Sequence, residues 1–218
     1  MTAIPAEPAA TVPDPPPAAR ELFGPAIGAA ERYVRLLAGP GVARGLLGPR
    51  EVPRLWDRHV LNCAAVAELV PPRCTLIDIG SGAGLPGLVL AILLPGVTVT
   101  LLERMGRRAA FLRECVAELG LANATVLQAQ AGEVVGKLAA DVVTARAVAP
   151  LSALAPMALP LARPGGLVLA IKGAGAAAEV TAARPVLRRL RVREVTVVSA
   201  GDGKVDPAAT VVRLVAGP

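Results

Sequence analysis

Aromatic and sulfur-bearing side chains are scarce in this chain. Phe, Trp and Tyr together make up 2% of its 218 residues, whereas all hydrophobic residues make up 54%. An aromatic-cored sandwich is therefore disfavoured, and the abundant Ala, Val, Leu and Gly suit close packing of helices on a sheet. Cys63, Cys74 and Cys115 show neither CxxC pairing nor zinc-ligand spacing, and their odd count argues against a disulfide framework. We expect reduced thiols and no bound metal.

Long apolar runs are also missing. The longest, from Leu88 to Leu94, is broken by Pro95 and Gly96, so it falls far short of the ~20 residues that span a bilayer. The N-terminus has no basic region followed by an apolar stretch, which argues against a signal peptide. We expect a soluble, cytoplasmic protein with no membrane partner.

Lysine is rare, so nearly all of the positive charge is arginine. The net charge is +6 and the isoelectric point is near 10.0. Arginine binds phosphate bidentately and stacks on bases, which favours a nucleic-acid partner. An arginine bias of a GC-rich genome explains the same numbers, and charge alone does not decide. Two clusters are either an RNA-facing surface or ordinary solvated faces: Arg107, Arg108 and Arg113, and Arg188, Arg189, Arg191 and Arg193.

The chain divides into three stretches by composition. Residues 1–19 are rich in Pro and Ala and are predicted to form a disordered tail. Residues 20–72 carry apolar residues at helical spacing, with one helix predicted from about Leu55 to Val70, ending before Pro71. Residues 73–218 are predicted to form the core, and residues 20–72 belong to the same globular domain.

Strands and helices alternate from Thr75 onward. Seven strand-like segments occur, five of them separated by helical or turn segments and the last two adjacent to each other. Such alternation predicts an α/β protein with a mostly parallel sheet covered by helices on both faces. The final pair predicts an antiparallel closing hairpin. The predicted fold class is thus α/β with a Rossmann-like seven-stranded sheet. The segment GLVLAIK, which follows a turn predicted at RPGG, is predicted to be its fifth strand.

A glycine turn follows the first of these strands, in the segment from Asp78 to Gly87. Glycines 80, 82 and 84 let the chain turn sharply and let a ligand approach the main chain. A dinucleotide would require the spacing GxGxxG, and here the third glycine comes one residue early. Asp78 would repel a pyrophosphate but attract the ammonium and sulfonium groups of S-adenosylmethionine. The pattern favours the latter ligand without excluding the former.

Five further candidate residues lie at predicted strand ends or in the loops that follow them. Glu103 follows the second strand, where a carboxylate accepts the hydroxyls of a ribose; the alternative is a solvated carboxylate that pairs with Arg104 or Arg107. Ala131 and Gly132 lie where an adenine edge would be read. Arg146 ends the fourth strand, and Lys172, at the end of the fifth, is either a rim cation or a solvent-facing residue. His59, the only histidine, is expected to be a packing or capping residue.

With these residues in view, the chain resembles the bacterial small-subunit ribosomal RNA methyltransferase G family, also called glucose-inhibited division protein B. The resemblance covers roughly residues 31–215. It is carried by LWDRHVLNCA, DIGSGAGLPGLVLAI, LLERMGRRAAFLRE, TARAVAPL and LAIKG. The first segment resembles the actinobacterial branch. The chain departs from many relatives at Asn62 and Gly132, where they carry carboxylates.

The resemblance implies methylation of N7 of guanine 527 in 16S rRNA, with S-adenosylmethionine as cofactor and S-adenosylhomocysteine as product. The substrate would be naked 16S rRNA or the small ribosomal subunit particle, and the enzyme a monomer without a metal. Cofactor contacts carry over onto Gly80, Leu85, Ala131, Gly132 and Arg146. Asp78 and Glu103 follow from the general class of methyltransferases, and Gly82 is a candidate cofactor contact because it belongs to the glycine turn.

Guanine N7 is a lone-pair acceptor with no proton to lose, so the reaction requires no general base. Catalysis is then expected to be alignment of N7 with the methyl group. Arg146 and Lys172 are the candidate catalytic residues, which would hold guanine O6 or a flanking phosphate. Three alternatives stay open: a methyltransferase of the same fold acting on a small molecule or protein, an NAD-dependent oxidoreductase, and a non-catalytic RNA-binding module.

Overall fold

The computed structural model describes residues 12–218, and the first eleven residues of the predicted tail lie outside the described part. The tail prediction is wrong for residues 17–19, because the first helix, α1, spans Pro17–Phe23 and buries Ala19 completely. Residues 12–16 lack regular structure but are not detached, since the Trp56 indole Nε1 donates a hydrogen bond to the Pro13 carbonyl at 3.0 Å. Proline at the first helical position is favourable because its missing N–H needs no partner there.

Helices form a layer between the N-terminus and the first strand. After α1 come α2 (Ile27–Leu36) and a helical run made of segments with different hydrogen-bond spacing. These are a 3-10 segment (Pro49–Arg54), a π segment (Leu55–Leu61), α3 (Asn62–Ala65) and a second 3-10 segment (Val66–Leu69). The helix predicted from about Leu55 to Val70 is confirmed within a residue, and the two prolines that follow account for its end.

Seven strands form one sheet in the order β3-β2-β1-β4-β5-β7-β6. Their bounds are β1 Thr75–Ile79, β2 Thr98–Leu102, β3 Ala124–Leu127, β4 Ala140–Arg146, β5 Ala162–Lys172, β6 Glu194–Ala200 and β7 Ala209–Val215. The first five pair in parallel, and β7 is antiparallel to both β5 and β6. The predicted α/β fold with its antiparallel hairpin is confirmed. The turn predicted at RPGG lies instead within β5, next to a register shift between Ala140 and Val142 of β4.

Both faces of the sheet are covered. The helices of the core are α4 (Gly87–Leu93), α5 (Gly106–Leu119), α6 (Leu151–Ala158) and α7 (Ala176–Arg189). One hydrophobic cluster joins the N-terminal helices, α4 and α5 to one face, and a second joins α6 and α7 to the other. Neighbouring residues of β1 alternate between them, Leu76 in the first and Ile77 in the second, as the strand period of two requires.

The carboxyl ends of the parallel strands meet at one edge of the sheet. The strand order reverses between β1 and β4, so the crevice for a ligand opens beyond the ends of these two strands. Among residues 12–218, no helix is both long enough and apolar enough to cross a membrane.

Candidate functional site

The turn after β1 has a backbone that glycine alone adopts without strain. Gly80, Gly82 and Gly84 have φ angles of +64°, +58° and +100°. A Cβ at Gly84 would collide with the side chain of Leu88 and would lie 2.9 Å from the Tyr33 hydroxyl oxygen. The three glycines therefore bring the main chain, without side chains, to the edge of the crevice.

Asp78 lies beneath this turn and is completely buried. Its Oδ1 accepts a hydrogen bond from the Thr144 hydroxyl at 3.0 Å, and its Oδ2 accepts one from the Gly87 amide at 3.1 Å. Burial raises the pKa of this carboxyl group to about 6, although these hydrogen bonds act in the opposite direction. The structure thus places Asp78 where it ties β1 to β4 and to the start of α4, and not on the wall of the crevice.

Glu103 follows β2 and lies on the crevice wall, with only 2% of the residue exposed. Its Oε2 accepts a hydrogen bond from the Gly82 amide at 3.0 Å, and its Oε1 accepts one from the Met105 amide at 2.8 Å. This burial excludes the solvated strand end that the sequence left open. Because a carboxylate has about four acceptor sites, Glu103 can still accept two hydroxyl groups of a ligand.

Three neighbouring pockets make up the crevice, and Ala147 borders all of them. The first, of about 390 Å³, extends from Glu103 to Ala131. The second, of about 220 Å³, follows the glycine turn from Gly80 to Leu85. The third, of about 730 Å³, opens beyond β4 and β5 towards the N-terminal helices. We call them the carboxylate pocket, the turn pocket and the wide pocket.

Ala131 and Gly132, for which the sequence predicts an adenine-side loop, begin a 3-10 turn after β3. The Glu133 carboxylate fixes the start of this turn by accepting a hydrogen bond from the Gln130 amide at 2.8 Å. Ala131 is buried against the carboxylate pocket, whereas Gly132 is exposed and faces open space. The structure therefore brings Gly80, Leu85, Glu103 and Ala131 together along the crevice, with Gly132 at its outer margin.

Arg146 ends β4 and borders both the turn pocket and the wide pocket. Its guanidinium donates hydrogen bonds to His59 Nδ1 at 2.9 Å and to the Arg58 carbonyl at 3.2 Å, and it lies 3.4 Å from the Cys63 sulfur. Burial raises the pKa of the Cys63 thiol to about 11, so this thiol is neutral at physiological pH. His59 in turn lies 2.7 Å from Glu51, through its Nε2.

Lys172 ends β5, and its side chain is only 11% exposed. Its ammonium donates to the Ala149 carbonyl at 2.8 Å and lies 2.8 Å from the Glu179 carboxylate. Glu179 also accepts a hydrogen bond from the Leu151 amide at 2.8 Å, and the bond from Lys172 lowers the pKa of Glu179. The solvent-facing alternative is thereby excluded: Lys172 borders the wide pocket and fastens the loop 147–150 to α7.

Basic side chains outnumber acidic ones around the wide pocket, whose lining also includes Asp57 and Glu179. Arg54 and Arg58 from the N-terminal helices lie exposed on its rim, beside Asn62. Of the two arginine clusters in the sequence, the first contributes Arg108 to the carboxylate and turn pockets. The second borders a separate depression near the C-terminus, through Arg189 and Arg191.

Sequence reasoning missed two features of this site. The first is the contact between His59 and Arg146, whose partners are 87 residues apart. The second is the burial of Asp78, for which Gly87 was the available signal: a Cβ there would lie 2.6 Å from Asp78 Oδ2. Glycine at this position leaves the room that the carboxylate occupies.

The fold matches solved methyltransferase structures of low sequence identity. A S-adenosylmethionine-dependent O-methyltransferase from Thermotoga maritima superposes with a TM-score of 0.58 at 16% identity, over 77% of this chain and 70% of that one. A methyltransferase from Pyrococcus furiosus superposes with a TM-score of 0.55 at 15% identity, over 71% and 80%. At such identities the likeness establishes the fold alone.

Sequence comparison is more specific. The chain is 59% identical over 200 residues to the ribosomal RNA small subunit methyltransferase G of Thermobifida fusca, and the aligned region covers 92% of this chain and 84% of that protein. It is 51% identical over 210 residues to the corresponding protein of Streptomyces avermitilis, covering 96% and 88%. The family model for rRNA small subunit methyltransferase G matches residues 26–206. The chain therefore belongs to the rRNA small subunit methyltransferase G family.

Proposed function

We propose that this protein transfers the methyl group of S-adenosylmethionine to N7 of a guanine in 16S rRNA, at position 527 as the family resemblance implies. The observation that carries the proposal is the junction of the turn pocket and the wide pocket at Arg146 in a chain of this family. A methyl donor in the turn pocket and an RNA base in the wide pocket would meet at this junction.

The residues of the crevice fit S-adenosylmethionine. The carboxylate pocket holds a buried carboxylate, Glu103, for the two ribose hydroxyls and the buried Ala131 for the adenine side. The turn pocket offers main chain from Gly80 to Leu85 for the methionine end. A Cβ at Gly84 would collide with Leu88, so the narrow turn depends on glycine there. When bound, this cofactor supplies an electrophilic methyl group on a sulfonium.

The chemistry requires placement rather than proton transfer. The guanine N7 lone pair forms the new N–C bond while the C–S bond breaks, and no proton leaves the base. A guanidinium bidentate to O6 and N7 would block the attack, so Arg146 is assigned to O6, to a flanking phosphate or to the cofactor. A base inside a helix could not reach the crevice, so the target is a looped or flipped nucleotide.

Lys172 has a different part in this proposal from the one its sequence position suggested. Its ammonium is engaged by Ala149 and Glu179, so binding a phosphate would require breaking a partly buried ion pair. We assign to it the shaping of loop 147–150, which borders all parts of the crevice through Ala147. Asp78 likewise supports the turn from below instead of contacting the ligand.

The test is transfer of labelled methyl from S-adenosylmethionine to small ribosomal subunits and to naked 16S rRNA, both from cells that lack this modification. One N7-methylguanine in 16S rRNA is the expected product. Binding of S-adenosylhomocysteine without transfer to either RNA substrate would contradict the rRNA assignment and favour a small-molecule or protein acceptor. Binding of NADH in place of S-adenosylhomocysteine would overturn the methyltransferase assignment itself.

A further inference from the structure

The Arg146 guanidinium is held by the N-terminal helical layer, not by its own strand. Its contacts are His59 Nδ1 at 2.9 Å, the Arg58 carbonyl at 3.2 Å and the Cys63 sulfur at 3.4 Å. A guanidinium has five N–H donors, and the three contacts that Arg146 makes in the described part of the chain use three of them. Two donors are left for a ligand. The direction in which Arg146 faces the crevice is therefore set by the side chain and main chain of a separate layer.

The hydrogen-bond chemistry of this contact determines the state of the imidazole. A guanidinium has donors only, so His59 Nδ1 must accept and cannot carry a proton. The proton of the neutral ring is then on Nε2, which donates to the Glu51 carboxylate at 2.7 Å. Glu51, His59 and Arg146 thus form one chain of hydrogen bonds from the surface to the crevice.

The charged groups around His59 come from several elements. Glu51 and Arg58 belong to the same helical run, Arg146 comes from β4, and Arg108 from α5 borders the same turn pocket. Burial lowers the pKa of His59 and Arg146 acts in the same direction, whereas Glu51 opposes both. The His59 side chain is 10% exposed, whereas the side chain of Glu51 is 28% exposed and that of Arg58 is 50% exposed, so water screens the effect of Arg58 the most.

We propose that His59 is a positioning residue for methyl transfer, which holds Arg146 at the junction of the turn and wide pockets through an unprotonated Nδ1. Its orientation is in turn fixed by Glu51. The consequence for activity rests on the function proposed above, whereas the hydrogen-bond chain itself does not. Protonation of the ring would place an N–H on Nδ1 against the N–H of Arg146, so acid would release the guanidinium and lower activity.

The direct test is nitrogen-detected NMR of the imidazole, which is simple because His59 is the only histidine in the chain. We expect the neutral Nε2–H tautomer at pH 7 and a pKa below 6.5. Arg146→Met should raise the His59 pKa while Glu51 keeps the ring proton on Nε2, whereas Arg108→Met, at the same pocket but without a contact to His59, should change the pKa much less. An Nδ1–H tautomer or a protonated ring at pH 7 overturns the proposal, whether or not the protein methylates RNA.

Kinetics test the positioning role separately. His59→Ala should lower kcat/KM about tenfold or more at pH 7.5, whereas His59→Asn, whose amide oxygen can replace the Nδ1 acceptor, should stay within about threefold of wild type and lose the acid limb of the pH profile. Glu51→Gln should move that limb to lower pH, because Glu51 raises the His59 pKa. Equal losses in the Ala and Asn variants, with both folded by their melting curves, would refute positioning. Absence of methyl transfer in the wild type would instead refute the proposed function and leave the NMR result standing.

Discussion

Replacing Asp78 with Asn separates a structural carboxylate from one that binds the cofactor. Asp78 is completely buried, and its oxygens are bound to Thr144 and Gly87. Asn can keep both contacts, because its amide oxygen can accept from the Gly87 amide and its NH2 group can donate to the Thr144 hydroxyl. The substitution thus removes the charge and retains the hydrogen bonds.

The expected effect of Asp78→Asn on the free energy of unfolding follows from the pKa of Asp78. Burial raises the pKa of Asp78 from 3.8 to about 6, and each pKa unit corresponds to about 1.4 kcal/mol. Ionisation of Asp78 therefore destabilises the folded state by about 3 kcal/mol. Because the pKa of Asp78 is higher in the folded state, the contribution of its protonated carboxyl group to stability is fully present below pH 3.8. This contribution is lost as the pH rises through 6. About 2 kcal/mol of the loss falls between pH 4.5 and 7.5.

The assay is urea denaturation of the wild type and Asp78→Asn across this pH interval. The difference in free energy of unfolding should shift by about 2 kcal/mol in favour of the variant as the pH rises. Asp57→Asn, which removes one negative charge at an exposed position, is the control. The affinity for S-adenosylhomocysteine should change less than about threefold. A flat difference with pH, or a loss of affinity without a change in stability, would refute the assignment of Asp78 as a support of the turn.

Further predictions concern the walls of the crevice. Glu103→Gln should weaken S-adenosylhomocysteine binding about tenfold by calorimetry, because hydrogen bonds to a charged acceptor are worth about 1.5–3 kcal/mol; unchanged affinity would exclude the ribose contact. Lys172→Met and Glu179→Gln should lower kcat/KM to a similar extent if the pair shapes loop 147–150, whereas a loss in the lysine variant alone would indicate contact with the substrate. Arg54→Ala with Arg58→Ala should reduce the salt dependence of 16S rRNA binding by a log–log slope of about 2 without affecting S-adenosylhomocysteine, and an unchanged slope would place the RNA elsewhere.

The fold was predictable because its signals are local. Buried strands and helix periodicity alternate within short windows, and proline marks the end of the helical run at Leu69. The position of Glu103 was predictable for the same reason, since a residue after a buried parallel strand must lie at the crevice edge. The tail boundary was misplaced because Pro17 begins a helix, and proline is favourable at that one helical position.

Side-chain direction was not predictable, because it depends on packing between distant segments. Asp78 turns away from the crevice because Gly87 leaves room for it at the start of α4. Lys172 is engaged because Glu179 on α7 comes within 2.8 Å of it. Nothing in the sequence marks Gly87 as the neighbour of Asp78 or Glu179 as the partner of Lys172. The sequence therefore predicted the strand on which each residue lies, but not the direction in which its side chain points.

The two walls of the crevice come from different parts of the chain, and this division bears on specificity. The sheet edge contributes the glycine turn and Glu103, whereas the N-terminal helices contribute His59 to the turn pocket and Arg54 and Arg58 to the wide pocket. A shared fold does not define a substrate; the site built on it does. We therefore infer that the sheet edge binds the methyl donor and that the helical layer selects the acceptor. Arg146 joins the two functions, because it belongs to a strand of the sheet and its guanidinium is held by the helical layer.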